Sequence, residues 1–127
     1  MRQFLWICFA GAIGTGCRRL VGIYAPRFFG VAFPWATFIV NVVGCFFISL
    51  VAHVATKKLI GDDLRLVLMT GFMGGLTTYS SFNFETTNLL LQERALLVGG
   101  LNVVLTLATC FGAGLLGLAA GRWLVGA

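Results

Sequence analysis

Four long, mostly apolar segments fill most of this 127-residue chain, at residues 4–21, 34–56, 64–91 and 95–124. A helix needs about 20 largely apolar residues to cross a bilayer, and each segment approaches or exceeds that length. Hydrophobic residues make up 59% of the chain and charged residues only 10%, whereas about a quarter of the residues in a soluble domain are charged. We therefore expect an all-α membrane protein, a single domain of four transmembrane helices over residues 1–127.

The same composition argues against an enzyme and against nucleic-acid binding. Little chain remains for a domain outside the membrane, and no nucleophile–base pair or pair of carboxylates is apparent. Gly71, Gly74 and Gly75 do not form a nucleotide-binding loop, because no strand precedes them and no lysine follows. The net charge of +5 comes from cations near span ends, where they meet lipid headgroups, and not from a basic stripe with interleaved aromatic residues.

The third segment contains a polar, glycine-rich interruption, which reads TGFMGGLTTYSSF over residues 70–82. Glycine is unfavourable in helix interiors, and hydroxyl side chains can bond to freed backbone groups. Broken backbone at membrane depth is tolerated only where it is buried in protein or lines a watery cavity. The interruption therefore predicts a third helix that is broken in its middle, at a place where a transport protein handles a small charged species.

The cationic residues divide almost equally between the two sides of the membrane. With four spans, one side carries five cations and the other carries four. The first set is Arg2, Lys57, Lys58, Arg65 and Arg122, and the second is Arg18, Arg19, Arg27 and Arg94. Because the Lys/Arg imbalance sets orientation, this division specifies orientation only weakly. Two interpretations stay open, namely one orientation set by partner proteins, or insertion in both orientations to give an antiparallel homodimer.

Weakly polar residues recur at four-residue spacing on the second and fourth segments, and so share helix faces. They are Thr37 and Asn41 on the second segment and Asn102, Thr106 and Cys110 on the fourth. Such side chains face the interior of a helix bundle, where they commonly hold helices together. Together with Ser80 and Ser81, they alternatively form a track of hydrogen-bond donors across the membrane.

A track of this kind would suit an anion. No Lys or Arg lies in the middle of the second, third or fourth segment, and hydroxyl and amide groups hold an anion less tightly than a full charge does. Conduction requires such intermediate binding. Tyr79 and Phe82 lie three residues apart and can present electropositive ring edges to an anion. Glu85 is either a functional carboxylate within the membrane or a solvated residue at a helix end.

Arginine and proline residues predict where the first helix ends and where the second helix begins. Arg18 and Arg19 are expected to end the first helix near a membrane interface. Pro26 and Pro34 then bracket a connecting segment, with Pro34 at the start of the second helix.

The four cysteines lie in apolar segments, far apart in sequence and without a Cys-x-x-Cys pair; they are Cys8, Cys17, Cys45 and Cys110. We expect them to behave as small hydrophobic residues and not as metal ligands.

Residues 74–82, GGLTTYSSF, resemble the Fluc (CrcB) family of bacterial fluoride channels. Gly14-x-x-x-Arg18 is similar to the first-span motif of that family, and Pro34-Trp35-x-Thr37-x3-Asn41-x2-Gly44 is similar to its second-span motif. Phe82 and Glu85 also match, and the resemblance extends along the whole chain.

The resemblance implies a passive fluoride channel that lets the anion leave the cytoplasm across the bacterial inner membrane. It implies an antiparallel, dual-topology homodimer with two pores, and a structural sodium ion at the dimer centre bound by the backbone carbonyls of Gly74 and Thr77. The ion pathway that it implies comprises Asn41, Tyr79, Phe82, Ser80, Ser81, Thr37, Thr106 and Cys110, with Arg18 and Glu85 in the vestibule.

Two positions depart from the family pattern. Tyr79 stands where the family usually has Phe, and Cys110 stands where a hydroxyl residue is common. A thiol is a weaker hydrogen-bond donor than a hydroxyl. Conduction rate and anion selectivity therefore stay open.

Two other functions also stay open. A proton-coupled small multidrug exporter has a similar length and topology, but it needs an acidic residue in the first span, and residues 4–21 contain neither Asp nor Glu. A non-conducting structural subunit would not need a glycine-rich break.

Overall fold

The computed structural model describes residues 1–126, and all secondary structure within them is helical, as predicted. Three helices are long and apolar enough to cross a membrane: α1 (Arg2–Phe29), α2 (Trp35–Thr56) and α6 (Leu96–Val125). The third predicted span consists of α3 (Asp62–Leu66), a π-helical stretch (Val67–Met73), α4 (Gly74–Leu76), α5 (Tyr79–Thr87) and a second π-helical stretch (Asn88–Gln92). We call residues 62–76 the N-terminal half-helix and residues 79–92 the C-terminal half-helix.

The predicted break is confirmed and lies at two threonines. Thr77 has φ −80° and ψ 157°, and Thr78 has φ −155° and ψ 112°, so both residues are extended. The Thr78 hydroxyl oxygen then accepts a 3.1 Å hydrogen bond from the amide of Ser81 and caps α5. Gly74 and Gly75 remain helical, so the break comes directly after the glycine pair and Leu76.

The first helix is longer than predicted. α1 continues to Phe29 and contains Pro26, so the expectations that Arg18 and Arg19 end the helix and that Pro26 lies in the link are wrong. Proline removes one amide donor, but the helix tolerates it close to its end. The helix ends at Gly30, which has φ 82° and donates its amide to the Pro26 carbonyl at 3.0 Å. Pro34 precedes α2 at its N-cap, as expected.

Glycines let the helix backbones approach closely. A Cβ atom at Gly14 on α1 would overlap the Phe72 carbonyl, and one at Gly75 would overlap the Gly11 carbonyl. On the other side, a Cβ atom at Gly117 of α6 would overlap the Phe46 carbonyl of α2. Small residues at helix contacts are typical of membrane bundles, where packing replaces the hydrophobic driving force. The N-terminal half-helix thereby packs against α1, and α2 packs against α6.

A small apolar core lies beside the break. Val40 of α2 is buried against Met73 and Leu76 of the N-terminal half-helix, and Cys17 and Val21 of α1 pack against this cluster. Many other large apolar side chains are exposed, as expected for a surface that faces lipid and not water. The core therefore fixes the N-terminal half-helix directly before the break.

Candidate functional site

Two cavities meet at the break. The first has a volume of about 540 Å³ and lies between α1, the start of α2 and α5; we call it the Arg18 cavity. The second has a volume of about 830 Å³ and lies between α2, α5 and α6; we call it the Phe82 cavity. Thr78 lines both cavities. The two spaces are therefore arranged on either side of one residue in the extended segment.

The predicted pathway residues divide between these cavities. The Arg18 cavity is lined by Arg18, Thr37, Ser81 and Glu85. The Phe82 cavity is lined by Asn41, Tyr79, Phe82, Thr106 and Cys110. Ser80 lines neither of the two; it is exposed, and its hydroxyl lies 3.2 Å from the hydroxyl of Thr78. The structure thus brings all predicted pathway and vestibule residues except Ser80 to the two cavities.

Asn41 pairs with the peptide backbone of Thr78. Its Nδ2 donates to the Thr78 carbonyl at 3.1 Å, and its Oδ1 accepts from the Thr78 amide at 2.8 Å. Asn41 and Thr78 are both buried, so these bonds satisfy backbone groups of Thr78 that have no partner in a helix ladder. The side chain therefore holds the extended segment in place, while the second Nδ2 hydrogen lies outside this pairing.

The carbonyls of Gly74 and Thr77 lose the bonds that a continuous helix would give them. The Gly74 carbonyl would accept from the Thr78 amide, which donates to Asn41 instead. The Thr77 carbonyl would accept from the Ser81 amide, which donates to the Thr78 hydroxyl. These two predicted ligand atoms are therefore released from the helix ladder by the geometry of the break.

Helix α1 supplies donors to the end of the N-terminal half-helix. Arg18 Nη1 donates to the Thr77 carbonyl, and Thr15 Oγ1 donates to the Gly75 carbonyl, each at 3.4 Å. A cation is favourable at a helix C-terminus because the terminal carbonyls carry partial negative charge. Arg18 therefore both lines its cavity, beside Arg19, and anchors the break.

Glu85 connects the C-terminal half-helix to α2. Its Oε1 accepts a 2.8 Å hydrogen bond from the Thr37 hydroxyl. Its Oε2 is buried and has no hydrogen-bond partner within residues 1–126. Glu85 is only partly exposed, and its helix continues through the π-helical stretch to Gln92, so the carboxyl group is neither fully solvated nor at the end of the C-terminal half-helix. The carboxyl group instead forms part of the wall of the Arg18 cavity.

Tyr79 and Phe82 lie together but differ in exposure. Their ring centroids are 5.7 Å apart, as expected from their three-residue spacing. Phe82 is 7% exposed, whereas Tyr79 is 76% exposed. Phe82 is therefore packed within its own chain, whereas the Tyr79 ring projects outward from the chain.

The polar stripe on α6 has two roles. Asn102 is 1% exposed, and its Nδ2 donates to the Thr86 hydroxyl at 2.8 Å while its Oδ1 accepts from Thr106 at 3.2 Å. Asn102 thus holds α6 against the C-terminal half-helix. Thr106 and Cys110, one and two turns further, line the Phe82 cavity.

Several lining residues were missed by the sequence analysis. Thr78 is one of them, because its position between the cavities depends on long-range packing. On α2, Cys45, Ser49 and His53 continue the four-residue spacing that begins at Asn41, and all three line the Phe82 cavity. That spacing is visible in the sequence and could have identified them.

The chain is similar to known proteins over almost its whole length. A family model described as "CrcB-like protein, Camphor Resistance (CrcB)" matches residues 5–118. A protein named Fluoride-specific ion channel FluC from Sorangium cellulosum is 40% identical over 126 residues, which cover 98% of each chain. The protein of that name from Rhizobium etli is 42% identical over 126 residues, covering 98% of this chain and 100% of the relative. One from Helicobacter pylori strain G27 is 44% identical over 93 residues, or 72% of each chain.

These similarities agree with the motifs in the first span, the second span and the break, which the structure assembles around the two cavities. The chain belongs to the CrcB family.

Proposed function

We propose that this chain is a fluoride channel that lets fluoride leave the bacterial cytoplasm passively across the inner membrane. The observation that carries the proposal is the pair of cavities that meet at Thr78, with hydroxyl, amide and aromatic groups among their lining residues. Near-full-length similarity to proteins named fluoride-specific ion channels supports the choice of anion. Those relatives are named as channels and not as enzymes.

The charges of the two cavities suit entry followed by conduction. Arg18 and Arg19 give the Arg18 cavity two cations against the single carboxyl group of Glu85, which raises the local concentration of anions. Beyond the break, the second Nδ2 hydrogen of Asn41 offers an uncharged donor in the cavity that Phe82 lines. Uncharged donors bind an anion weakly enough to release it, and a narrow path lined by them favours a small, hard anion over a larger halide.

A structural sodium ion is part of this proposal, and the residues fit it. The carbonyls of Gly74 and Thr77 are oxygen ligands, which hard cations prefer, and both lack their helical partners. Thr77 O already accepts from Arg18, but a carbonyl oxygen has two lone pairs. When bound, the ion would neutralise the partial charge of these oxygens. Gly74 and Thr77 of each chain would together supply four ligands.

We propose that a second, antiparallel copy of the chain covers the exposed surface around Gly74. Gly74 is exposed, and a Cβ atom built there has its nearest neighbour, the Met69 carbonyl, 3.9 Å away. An unpaired backbone group facing lipid would cost several kcal/mol, roughly, so the exposed break needs a cover. The nearly equal cation counts on the two sides are compatible with a cover made by an inverted copy of the same chain.

Flux from liposomes tests the function. Purified protein is reconstituted in vesicles loaded with potassium fluoride, valinomycin is added, and efflux is followed with a fluoride electrode. We expect rapid fluoride efflux and little chloride efflux in matched vesicles. Proton-driven uptake of a cationic dye would indicate the multidrug exporter, and absence of any flux would indicate a structural subunit. Either of these results, or equal rates for chloride and fluoride, would overturn the proposal.

A further inference from the structure

Two cysteines that are distant in sequence lie in the wall of the same cavity, the Phe82 cavity. Cys45 lies on α2 and Cys110 on α6, both are partly buried, and both line the cavity. Both cysteines therefore border one open space, whereas the sequence predicted small hydrophobic residues and not metal ligands.

The backbones of α2 and α6 are close at this level of the membrane. A Cβ atom at Gly114, one turn beyond Cys110, would lie 3.3 Å from Ser49 Oγ and 3.8 Å from the Cys45 carbonyl. Ser49 and Gly114 also line the cavity. Cys45 and Cys110 thus lie on adjacent turns of two packed helices, and both residues line the same open space.

We propose that Cys45 and Cys110 form a two-thiolate binding site for soft, linearly coordinated cations of the Hg²⁺, Ag⁺ and Cu⁺ class, and that a cation bound there obstructs the Phe82 cavity. Binding depends only on the two thiols. The obstruction of fluoride flux rests on the proposed channel function.

The ligand set selects this class of cation. Within residues 1–126, no group of three or more His, Cys, Asp or Glu side chains is placed to hold a metal ion. Zinc in structural sites requires four ligands, whereas soft d¹⁰ cations accept two thiolates in a line. Mg²⁺ and Ca²⁺ require oxygen ligands, which the two thiols do not supply.

The binding step exchanges protons for metal without any redox change. Two S–H bonds break, two S–Hg bonds form, and the two protons pass to water in the cavity. The product of Hg²⁺ with two thiolates is neutral, whereas Ag⁺ or Cu⁺ with two thiolates retains one negative charge. A neutral product is favoured within a membrane, where an unpaired charge is expensive. Hg²⁺ is therefore the probe that we choose.

The chain provides matched control thiols. Cys8 is exposed on α1, and Cys17 packs against the core cluster of Val40, Met73 and Leu76. Neither of them is among the residues that line the Phe82 cavity. The variant Cys8→Ser/Cys17→Ser keeps only the proposed pair, and adding Cys45→Ser or Cys110→Ser leaves a single thiol.

The first measurement counts bound metal by native mass spectrometry in detergent, with and without a wash in excess monothiol. We expect Cys8→Ser/Cys17→Ser to retain one Hg²⁺ per chain through the wash and to lose both reactive thiols. Each single-thiol variant is expected to lose its Hg²⁺ in the same wash, because one Hg–S bond exchanges readily. The shared site would be overturned if the single-thiol variants retained as much Hg²⁺ as Cys8→Ser/Cys17→Ser does. It would also be overturned if Cys8→Ser/Cys17→Ser bound two Hg²⁺ ions per chain.

The second measurement is fluoride efflux before and after one equivalent of Hg²⁺ per chain, normalised to the initial rate of each variant. We expect Cys8→Ser/Cys17→Ser to lose most of its efflux and to stay blocked through the monothiol wash, and the single-thiol variants to recover. Retained metal with unchanged efflux would refute the obstruction but not the binding site. A protein that binds one Hg²⁺ on the pair but never conducts fluoride would instead refute the proposed function.

Discussion

Phe82 and Tyr79 form an aromatic pair whose members have different surroundings. Phe82 is buried in its own chain beside Asn41 and Thr106, and Tyr79 is largely exposed. Only a ring that is fixed in place can present its electropositive edge reliably to an anion. At the scale of the residue, we therefore propose that Phe82 makes the anion contact within one chain.

The first prediction concerns that ring edge. Phe82→Ile keeps apolar volume but removes the ring, so we expect a protein that still folds and conducts fluoride at least ten-fold more slowly. Efflux from liposomes, with circular dichroism to check the fold, measures this. The matched control is Phe84→Ile, because Phe84 lies on the same helix but is 69% exposed. Wild-type flux through Phe82→Ile would contradict the assignment.

The second prediction concerns Asn41. Asn41→Ala removes both hydrogen bonds to the Thr78 peptide and leaves a buried amide and carbonyl unpaired. Each lost partner costs about 1–3 kcal/mol, so we expect a lower Tm in detergent together with loss of flux.

A conservative variant separates the two roles of Asn41. Asn41→Asp keeps the oxygen that accepts from the Thr78 amide but loses the donor to the Thr78 carbonyl. It also places a negative charge in the Phe82 cavity, so we expect flux to fall even where Tm is partly restored. Unchanged Tm and flux in Asn41→Ala would show that the pairing does not hold the break.

At the scale of the element, the break in the third helix could be predicted from the sequence, but the side chains that hold the break in place could not. Glycines followed by hydroxyl residues are a local signal, so the sequence indicated where the third helix ends and restarts. The pairing of Asn41 with Thr78 depends on how distant helices pack. So does the position of Cys45 and Cys110 in one cavity wall. Spacing along the chain does not encode either arrangement. The end of α1 was misjudged because Arg18 was assigned to a membrane interface, whereas its guanidinium has a polar partner inside the protein.

The third prediction uses the two adjacent glycines of α4 as a matched pair. A Cβ atom at Gly75 would overlap the Gly11 carbonyl of the same chain, whereas a Cβ atom at Gly74 would lie 3.9 Å from the Met69 carbonyl, an ordinary contact distance. Gly75→Ala is therefore expected to destabilise the chain itself, by about 1–3 kcal/mol, as for other overpacked contacts. Gly74→Leu is expected to leave the helices intact but to prevent assembly and flux.

Two measurements distinguish these outcomes. Circular dichroism against temperature reports the fold of each variant, and crosslinking in detergent reports assembly. If Gly74→Leu assembles and conducts fluoride at wild-type levels, the proposed partner chain does not contact the surface at Gly74. If assembly of the wild-type protein is unaffected when sodium is replaced by a large organic cation, the proposed ion at the Gly74 and Thr77 carbonyls is refuted.

At the scale of the whole molecule, we propose that a second copy of the chain covers the surface at the break. The exposed Gly74 backbone, the exposed Tyr79 ring and the open Phe82 cavity all need covering at membrane depth. An inverted copy would place the same features opposite themselves, with the two breaks crossing at the centre. Such a pair forms only if the chain inserts in both directions.

The last prediction tests insertion in both directions. With five cations on one side and four on the other, the Lys/Arg imbalance is too small to select one orientation. A reporter fused to the C-terminus should therefore show cytoplasmic and external populations of similar size. Several lysines added beside Arg2 or Arg122 lie on the same side, so they should shift the chain to one orientation and abolish flux. Co-expression with a chain biased in the opposite direction, by lysines beside Arg27, should restore flux, because it supplies the missing inverted partner. A single strict orientation of the unmodified chain, or full flux from the biased chain alone, would contradict the antiparallel assembly.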